Sequence, residues 1–346
     1  MARVLVTGHH GYIGAVLVPL LLRAGHDVVG LDTGYFEGCD FGPAPAAIPE
    51  THVDLRDVRP SDLNGIEAVV HLAGLSNDPV GNLDPGVTYA INFTGSVRLA
   101  AAAKEAGVRR FVFASSCSIY GAAGDLAKDE TSTFAPVTPY AESKVWVERA
   151  LNGLADERFC PVYMRNATVH GASPRLRGDL VVHYLVGTAV ADGEVLIKSD
   201  GTPWRPLVHV EDVSRAALAL LEAPTELVYC EPFNIGADSQ NFQVKDVAAI
   251  VESIVPDSRV VYAPGGEPDL RSYRVDFSKL TRTFPNAVPQ WTLEASVRDL
   301  YAAYKRNSLR LEDLLGPRHT RLLRIQELKA AGRLSDDLRW IEAAGR

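Results

Sequence analysis

Cysteine is scarce in this chain. Only Cys39, Cys117, Cys160 and Cys230 occur among 346 residues, scattered and without CxxC spacing. That excludes a disulfide-stapled framework and a cysteine zinc site, and it fits a reducing, cytoplasmic setting; no metal is expected. Basic residues are outnumbered, with 35 Lys and Arg against 43 Asp and Glu for a formal net charge of −8. No basic run tracks a phosphate backbone, so nucleic acid is not an expected partner. An anionic small molecule would need a local arginine site inside an acidic protein. No uncharged apolar run reaches the ~18 residues that suggest a membrane span, so no membrane partner is expected. The opening Met1–Gly8 runs straight into a buried-strand pattern, without the charged, apolar and cleavage regions of a secretory leader.

What is present is an ordinary globular mixture, 47% hydrophobic and 23% charged. Short apolar runs alternate with helical periodicity, the pattern of an α/β protein with a parallel sheet covered by helices. Strands are expected at Arg3–Thr7, Asp27–Leu31, Thr51–Val53, Ala68–Leu72, Arg110–Ala114 and Pro161–Met164. Helices are expected at Tyr12–Ala24, Val87–Ala106 and Tyr140–Leu154, and loops at Gly34–Pro49, Gly171–Gly178 and Gly201–Pro206. After Arg165 the regularity weakens, then Val210–Leu221 resumes a helical period and Phe233–Gly236 reads as a returning strand. The expected architecture is a Rossmann-type doubly wound parallel sheet with a smaller C-terminal substrate-binding lobe. Residues 1–165, with 211–236 returning, form the first unit; 166–210 and 237–306 form the lobe. Residues 307–346 read as a helical extension packed on the core or on a partner subunit.

Between the first strand and helix, Gly8, Gly11 and Gly14 stand at i, i+3 and i+6 in Thr7-Gly8-His-His-Gly11-Tyr12-Ile13-Gly14. A pyrophosphate needs that absence of side chains, and the following helix turns unpaired N–H groups toward it. Asp32 ends the second strand 18 residues later, near the ~20 expected for the acid that binds an adenosine ribose. Its carboxylate would repel a 2′-phosphate and no nearby cation compensates, so NAD is favoured over NADP. Asp54 and Leu55 follow the third strand, and Leu72-Ala73-Gly74 follows the fourth; both are candidate linings of the dinucleotide cleft.

Thr138-Pro139-Tyr140 opens a helix that puts Tyr140 and Lys144 one turn apart on one face. A phenol ionises near pH 10 in water, so an adjacent ammonium is expected to ease its deprotonation. Ser115, Ser116, Cys117 and Ser118 cap the apolar run from Phe111, and a hydroxyl there can share a proton with Tyr140.

With these landmarks in order, the chain resembles the extended short-chain dehydrogenase/reductase family of nucleotide-sugar epimerases and dehydratases. The resemblance runs from residue 3 to about 300 and includes Asn92, Arg165 and the stretch Gly201–Asp212. It implies that Ser116, Tyr140 and Lys144 are catalytic, with Asn92, Ser115 and Asn166 beside the cofactor. It implies a nucleotide-diphosphate sugar substrate held by Arg205 and Arg271, with Ser116, Cys117, Ser118, Thr168, His170 and Arg177 as further contacts. Arg175 and Arg177 are expected by default to be solvated. A homodimer paired through Val87–Ala106 and Tyr140–Leu154 is implied as well. Dehydratases of the family carry Asp-Glu where this chain has Cys117-Ser118, which argues against dehydration. Thr168 and His170 replace the family's usual Asn and Tyr. The resulting expectation is an NAD-dependent NDP-hexose epimerase, most readily at C4. An NAD(P)H-dependent 4-keto-sugar reductase is the alternative, and a non-catalytic dinucleotide-sensing module is the remote one.

Overall fold

Strand β1 (Arg3–Thr7) is buried from Val4 onward because it lies inside a sheet with helices on both faces. The computed structural model describes residues 1–76, 78–121, 126–264 and 272–341. In chain order β2 is Asp27–Asp32, β3 Glu50–His52, β4 Ala68–His71, β5 Arg110–Ser116 and β6 Cys160–Asn166. The short β7 (Thr168–His170), β8 (Glu194–Ile197) and β9 (Trp204–His209) follow, then β10 (Pro232–Ile235), β11 (Asn241–Gln243) and β12 (Arg259–Tyr262). The main sheet has the order β10-β6-β5-β4-β1-β2-β3, with every pairing parallel. The chain leaves β1 in one direction for β2 and returns on its other side as β4. That reversal opens a crevice at the carboxyl ends of the strands, where open α/β sheets bind ligands.

Register brings the chemistry-bearing ends together. Thr7 aligns with Leu31 and His71, and Ser116 aligns with Asn166. β5 and β6 each run two residues past their sequence-based ends, which carries Ser116 and Asn166 onto the sheet's rim. Thr138 Oγ accepts from Ala141 N (3.2 Å) and caps helix Pro139–Leu154, fixing where Tyr140 begins its turn.

Two local expectations are corrected. Gly201–Pro206 is not all loop, since β9 starts at Trp204. Pro206 masks it in the sequence, yet the ring costs the ladder little: it pairs only with Asn241, the first residue of β11, and precedes the β7 pairing that begins at Leu207. The run Val87–Ala106 is helical but not uniform, for Tyr89–Gly95 forms a wider π turn before helix Ser96–Glu105. Such turns often mark functional sites.

Two apolar clusters flank the main sheet. Another gathers Leu185, Val195, Val251, Val297 and Leu300 with Phe41 and Leu314. Ile325, Leu328, Leu334 and Leu338, from beyond residue 307, pack against Tyr35, Leu75, Val80 and Ile91.

Candidate active site

A cleft of about 870 Å³ follows the reversal in the sheet. At one end Gly8 takes φ +72° and its carbonyl accepts from Gly11 N (2.9 Å). A Cβ at Gly14 would lie 2.4 Å from Gly8 O, so the turn closes this tightly only without side chains. Gly8, Gly11, Tyr12, Ile13 and Gly14 all line the cleft. Asp32 does too, its carboxylate accepting from Gly34 N (2.9 Å) and His10 N (3.2 Å). Asp54 and Leu55 line the same end, but Asp54 is already engaged by Arg56, whose Nη2 lies 2.6 Å away.

Leu72, Ala73 and Gly74 form the middle of the wall. Asn92 does not reach the cleft, a correction to its placement beside the cofactor. Its Oδ1 accepts from Leu75 N (2.7 Å) and its Nδ2 donates to Leu75 O (3.0 Å), so it pins the wall from behind. His71 does likewise, bridging Thr7 Oγ1 (2.7 Å) and Ser96 Oγ (2.8 Å). Burial, reinforced by the Lys144 charge, pulls its imidazole down to about 3 and keeps it neutral.

Ser115, Ser116, Tyr140, Lys144 and Asn166 meet at the far end. Lys144 Nζ donates to Ala114 O (2.7 Å) and stands 4.7 Å over the Phe113 ring. Burial pulls the ammonium down to about 8, opposed by the Glu148 carboxylate. Tyr140 has a hydroxyl partner as well as the nearby ammonium. Tyr140 opens partly to the cleft, but desolvation by the surrounding protein pushes its phenol up to about 12, while a hydrogen bond with Ser116 pulls it down. Lys144 sits 5.6 Å from the phenol ring centre. Ser116 is therefore the partner already in place. Replacing Ser116 by alanine is expected to move the rising limb of the kcat/KM–pH profile about 1 unit to higher pH. The sign follows because the phenolate loses a donor. An unshifted limb in a stopped-time pH series would show that Ser116 does not tune Tyr140.

Behind these groups lies a buried ionic lattice. Arg165 donates through Nε (3.1 Å) and Nη2 (2.7 Å) to Glu148, which also accepts from Ser115 Oγ (2.5 Å). Arg165 Nη1 reaches Tyr120 Oη (3.1 Å) and Glu130 O (2.9 Å). The sequence drew attention to Arg165 but not to Glu148, one helical turn after Lys144.

Among the expected substrate contacts, Ser118, Thr168, Arg177 and Arg205 line the cleft. Cys117 does not: it is fully buried, its Sγ donates to Arg165 O, and burial pushes the thiol well up. His170 also points away, bonded through Nδ1 to Ser296 Oγ (2.7 Å) and held neutral by burial. Arg175 and Arg177 are not solvated. Arg175 pairs with Asp40 (2.8 Å) and Arg177 with Asp179 (2.9 Å), both arginines nearly inaccessible beneath the segment that follows residue 307. Arg271 lies outside the described residues. Sequence reasoning missed Leu315, Thr320 and Arg321, which line the cleft from the C-terminal extension. The Gly316-Pro317 break between its helical runs was the available signal.

Asn166 Oδ1 and Ser118 Oγ are buried, without a hydrogen-bond partner among the described residues, and both residues line the cleft. These waiting polar atoms, the side-chain-free turn and Asp32 fit a dinucleotide lying along the cleft. The sequence pattern described as the NAD dependent epimerase/dehydratase family matches residues 4–236. The chain belongs to that family.

As a family member it is an NAD-dependent enzyme. The chain is 31% identical over 287 residues to the UDP-glucose 4-epimerase of Mycolicibacterium smegmatis, spanning 79% of this chain and 90% of that one. It superposes with a TM-score of 0.77 on the UDP-glucose 4-epimerase of Thermotoga maritima solved with UDP-glucose, at 26% identity, covering 89% of this chain and all of that one. MoeE5 in complex with UDP-glucuronic acid and NAD is also similar, with TM-score 0.77, 28% identity and the same coverage. The family match ends before the segment carrying Leu315, Thr320 and Arg321. Among the described residues no helix is long and apolar enough to cross a membrane.

Proposed function

We propose that the chain is a nucleotide-sugar 4-epimerase that interconverts NDP-hexoses through a transient 4-keto sugar. The observation that carries this is one cleft holding Ser116, Tyr140 and Lys144 at one end and the glycine turn at the other, with Cys117 and Ser118 where dehydratases of the family place acids. NAD, when bound, supplies a reversible acceptor for the hydrogen that leaves the sugar carbon with its electron pair. Tyr140 takes the proton of the sugar hydroxyl as the carbonyl forms, then returns it after the sugar has presented its other face. Ser116 stabilises the phenolate and holds the reacting oxygen. Lys144, whose ammonium is anchored on Ala114 O, keeps positive charge close to the phenol. Arg205, Thr168 and Arg271 are assigned to the substrate diphosphate and sugar, in a lobe formed by 166–210 and 237–306. Residues 1–165 and 211–236 are assigned to the dinucleotide.

The active form is proposed to be a homodimer. Its support is an aromatic face on the two expected helices: Trp146, 37% exposed, stands 4.8 Å from the Tyr89 ring and 5.5 Å from Phe93. A cytoplasmic location is proposed as well, and four free thiols suit its reducing chemistry.

Protein carrying NAD, incubated with UDP-glucose or UDP-galactose and related NDP-hexoses, is expected to interconvert a C4 pair without net change in reduced-cofactor absorbance. Stoichiometric NAD(P)H consumption on a 4-keto sugar, with no interconversion, would instead establish the reductase.

A further inference from the structure

Among the described residues, Arg321 is a buried cation with no anion of its own. Its residue is 3% exposed, yet it lines the cleft, and among the described residues it makes no ion pair. Its hydrogen bond to Arg175 O, from Nη2, is long at 3.4 Å, and its guanidinium carbon sits 3.9 Å over the Phe36 ring. Arg175 and Arg177 stand near it, each with its own carboxylate, Asp40 and Asp179. Among the described residues, three guanidinium groups thus face two carboxylates. Burial pulls Arg321 down to about 10, with the neighbouring Arg177 adding to the shift and Asp179 opposing it, so it still carries its proton at neutral pH. A buried charge without a partner is costly in general, and persists where a ligand supplies the missing charge.

The surroundings indicate which ligand. Tyr12 follows Gly11 directly; its phenol donates to Gly171 O (2.7 Å) and its carbonyl accepts from Ser173 Oγ (2.8 Å), which ties the arginine-bearing loop to the glycine turn. Arg177 Nη1 reaches Ser76 Oγ (3.1 Å), just past Gly74. Gly178 N donates to His319 O (2.8 Å), which places the extension on that loop. Arg205 lines the same cleft from β9. We propose that Arg321, delivered by the C-terminal extension and backed by Arg177, binds the diphosphate of the dinucleotide opposite the glycine turn, so that the extension fastens the cofactor in place. A guanidinium suits two phosphoryl oxygens at once. The extension is itself held at the adenosine end, where Arg56 Nη1 donates to Asp337 O (2.7 Å) and Trp340 Nε1 to Thr33 O (2.6 Å).

The inference rests on NAD occupying this cleft, and the test separates the two. Holoprotein is mixed with excess isotopically labelled NAD and the exchange rate followed, for wild type, Arg321→Met and Arg321→Lys. Methionine is expected to speed exchange about 30-fold or more, because removing one member of a buried, charge-assisted pair acts mainly on dissociation. Lysine should fall between. Dinucleotide-stripped Arg321→Met should melt no lower than stripped wild type, since it removes an uncompensated charge. UDP affinity of the NAD-loaded protein should stay within about twofold. Unchanged exchange with a lower melting temperature would make Arg321 structural and overturn the proposal. Weakened UDP binding with unchanged exchange would overturn it in favour of the substrate's diphosphate. Wild-type protein that binds no NAD or ADP-ribose would sink the underlying cofactor placement instead.

Discussion

Tyr140→Phe is expected to lower kcat by about 10²- to 10⁴-fold, the usual contribution of a positioned general acid–base group. The substitution removes one oxygen and keeps the ring. Lys144 keeps its anchor on Ala114 O and Ser116 its acceptance from Ser118 N (3.2 Å), so the surrounding geometry has no reason to move. NAD content should therefore match wild type, and the KM for the nucleotide sugar should change far less than kcat, because the phenol oxygen matters most as the proton moves. Steady-state assays with the preferred epimer pair, alongside spectrophotometric NAD quantitation, check both halves. A loss of NAD together with activity would mean that Tyr140 is chiefly a cofactor-binding residue.

The second large effect concerns the lattice under the site. Glu148→Gln is expected to destabilise the fold by about 3–5 kcal/mol, because it leaves the Arg165 guanidinium buried without its carboxylate. For a chain of this length that corresponds to roughly 4–7 °C in Tm. Both side chains are only 4% exposed, so solvent cannot take over. The same change should depress Lys144 further, since the Glu148 charge is what opposes its desolvation. The ammonium would then be lost at lower pH than in wild type, and activity above neutrality should decline earlier. Adding Arg165→Met to Glu148→Gln should recover much of the melting temperature, because it removes the guanidinium that the single variant leaves buried without a carboxylate. Melting curves of the two variants decide it, and a double variant no more stable than the single one would show that the lattice matters for something other than charge pairing.

The local chemistry was legible in the sequence, and the reason is chain proximity. Gly8, Gly11 and Gly14 close a turn within seven residues, Thr138 caps the helix that carries Tyr140, and apolar runs mark β1, β4 and β5. Backbone sterics and hydrogen bonding dictate such features over short spans. Groups whose environment comes from distant segments were not legible. Cys117 and Ser118 are neighbours at the end of one strand, and only the packing of β6 decides that the thiol faces Arg165 while Ser118 lines the cleft. His170 turns to Ser296, well over a hundred residues onward. Arg177 looked like a solvated loop residue because nothing nearby in the chain announces that the extension will cover it. Arg321 drew no notice for the same reason. Pro206 concealed β9 because its tolerance depends on where the two neighbouring ladders begin.

At the centre of the proposed mechanism, Tyr140 would work on a sugar hydroxyl whose carbon-bound hydrogen leaves and returns to the same carbon. An NDP-hexose carrying deuterium at C4, converted by the NAD-loaded enzyme and analysed by NMR, tests this most directly. The mechanism requires both epimers to retain deuterium at C4, with conversion reduced by the Tyr140→Phe factor in that variant. Deuterium appearing in water, at another sugar carbon, or in a released reduced cofactor would contradict it.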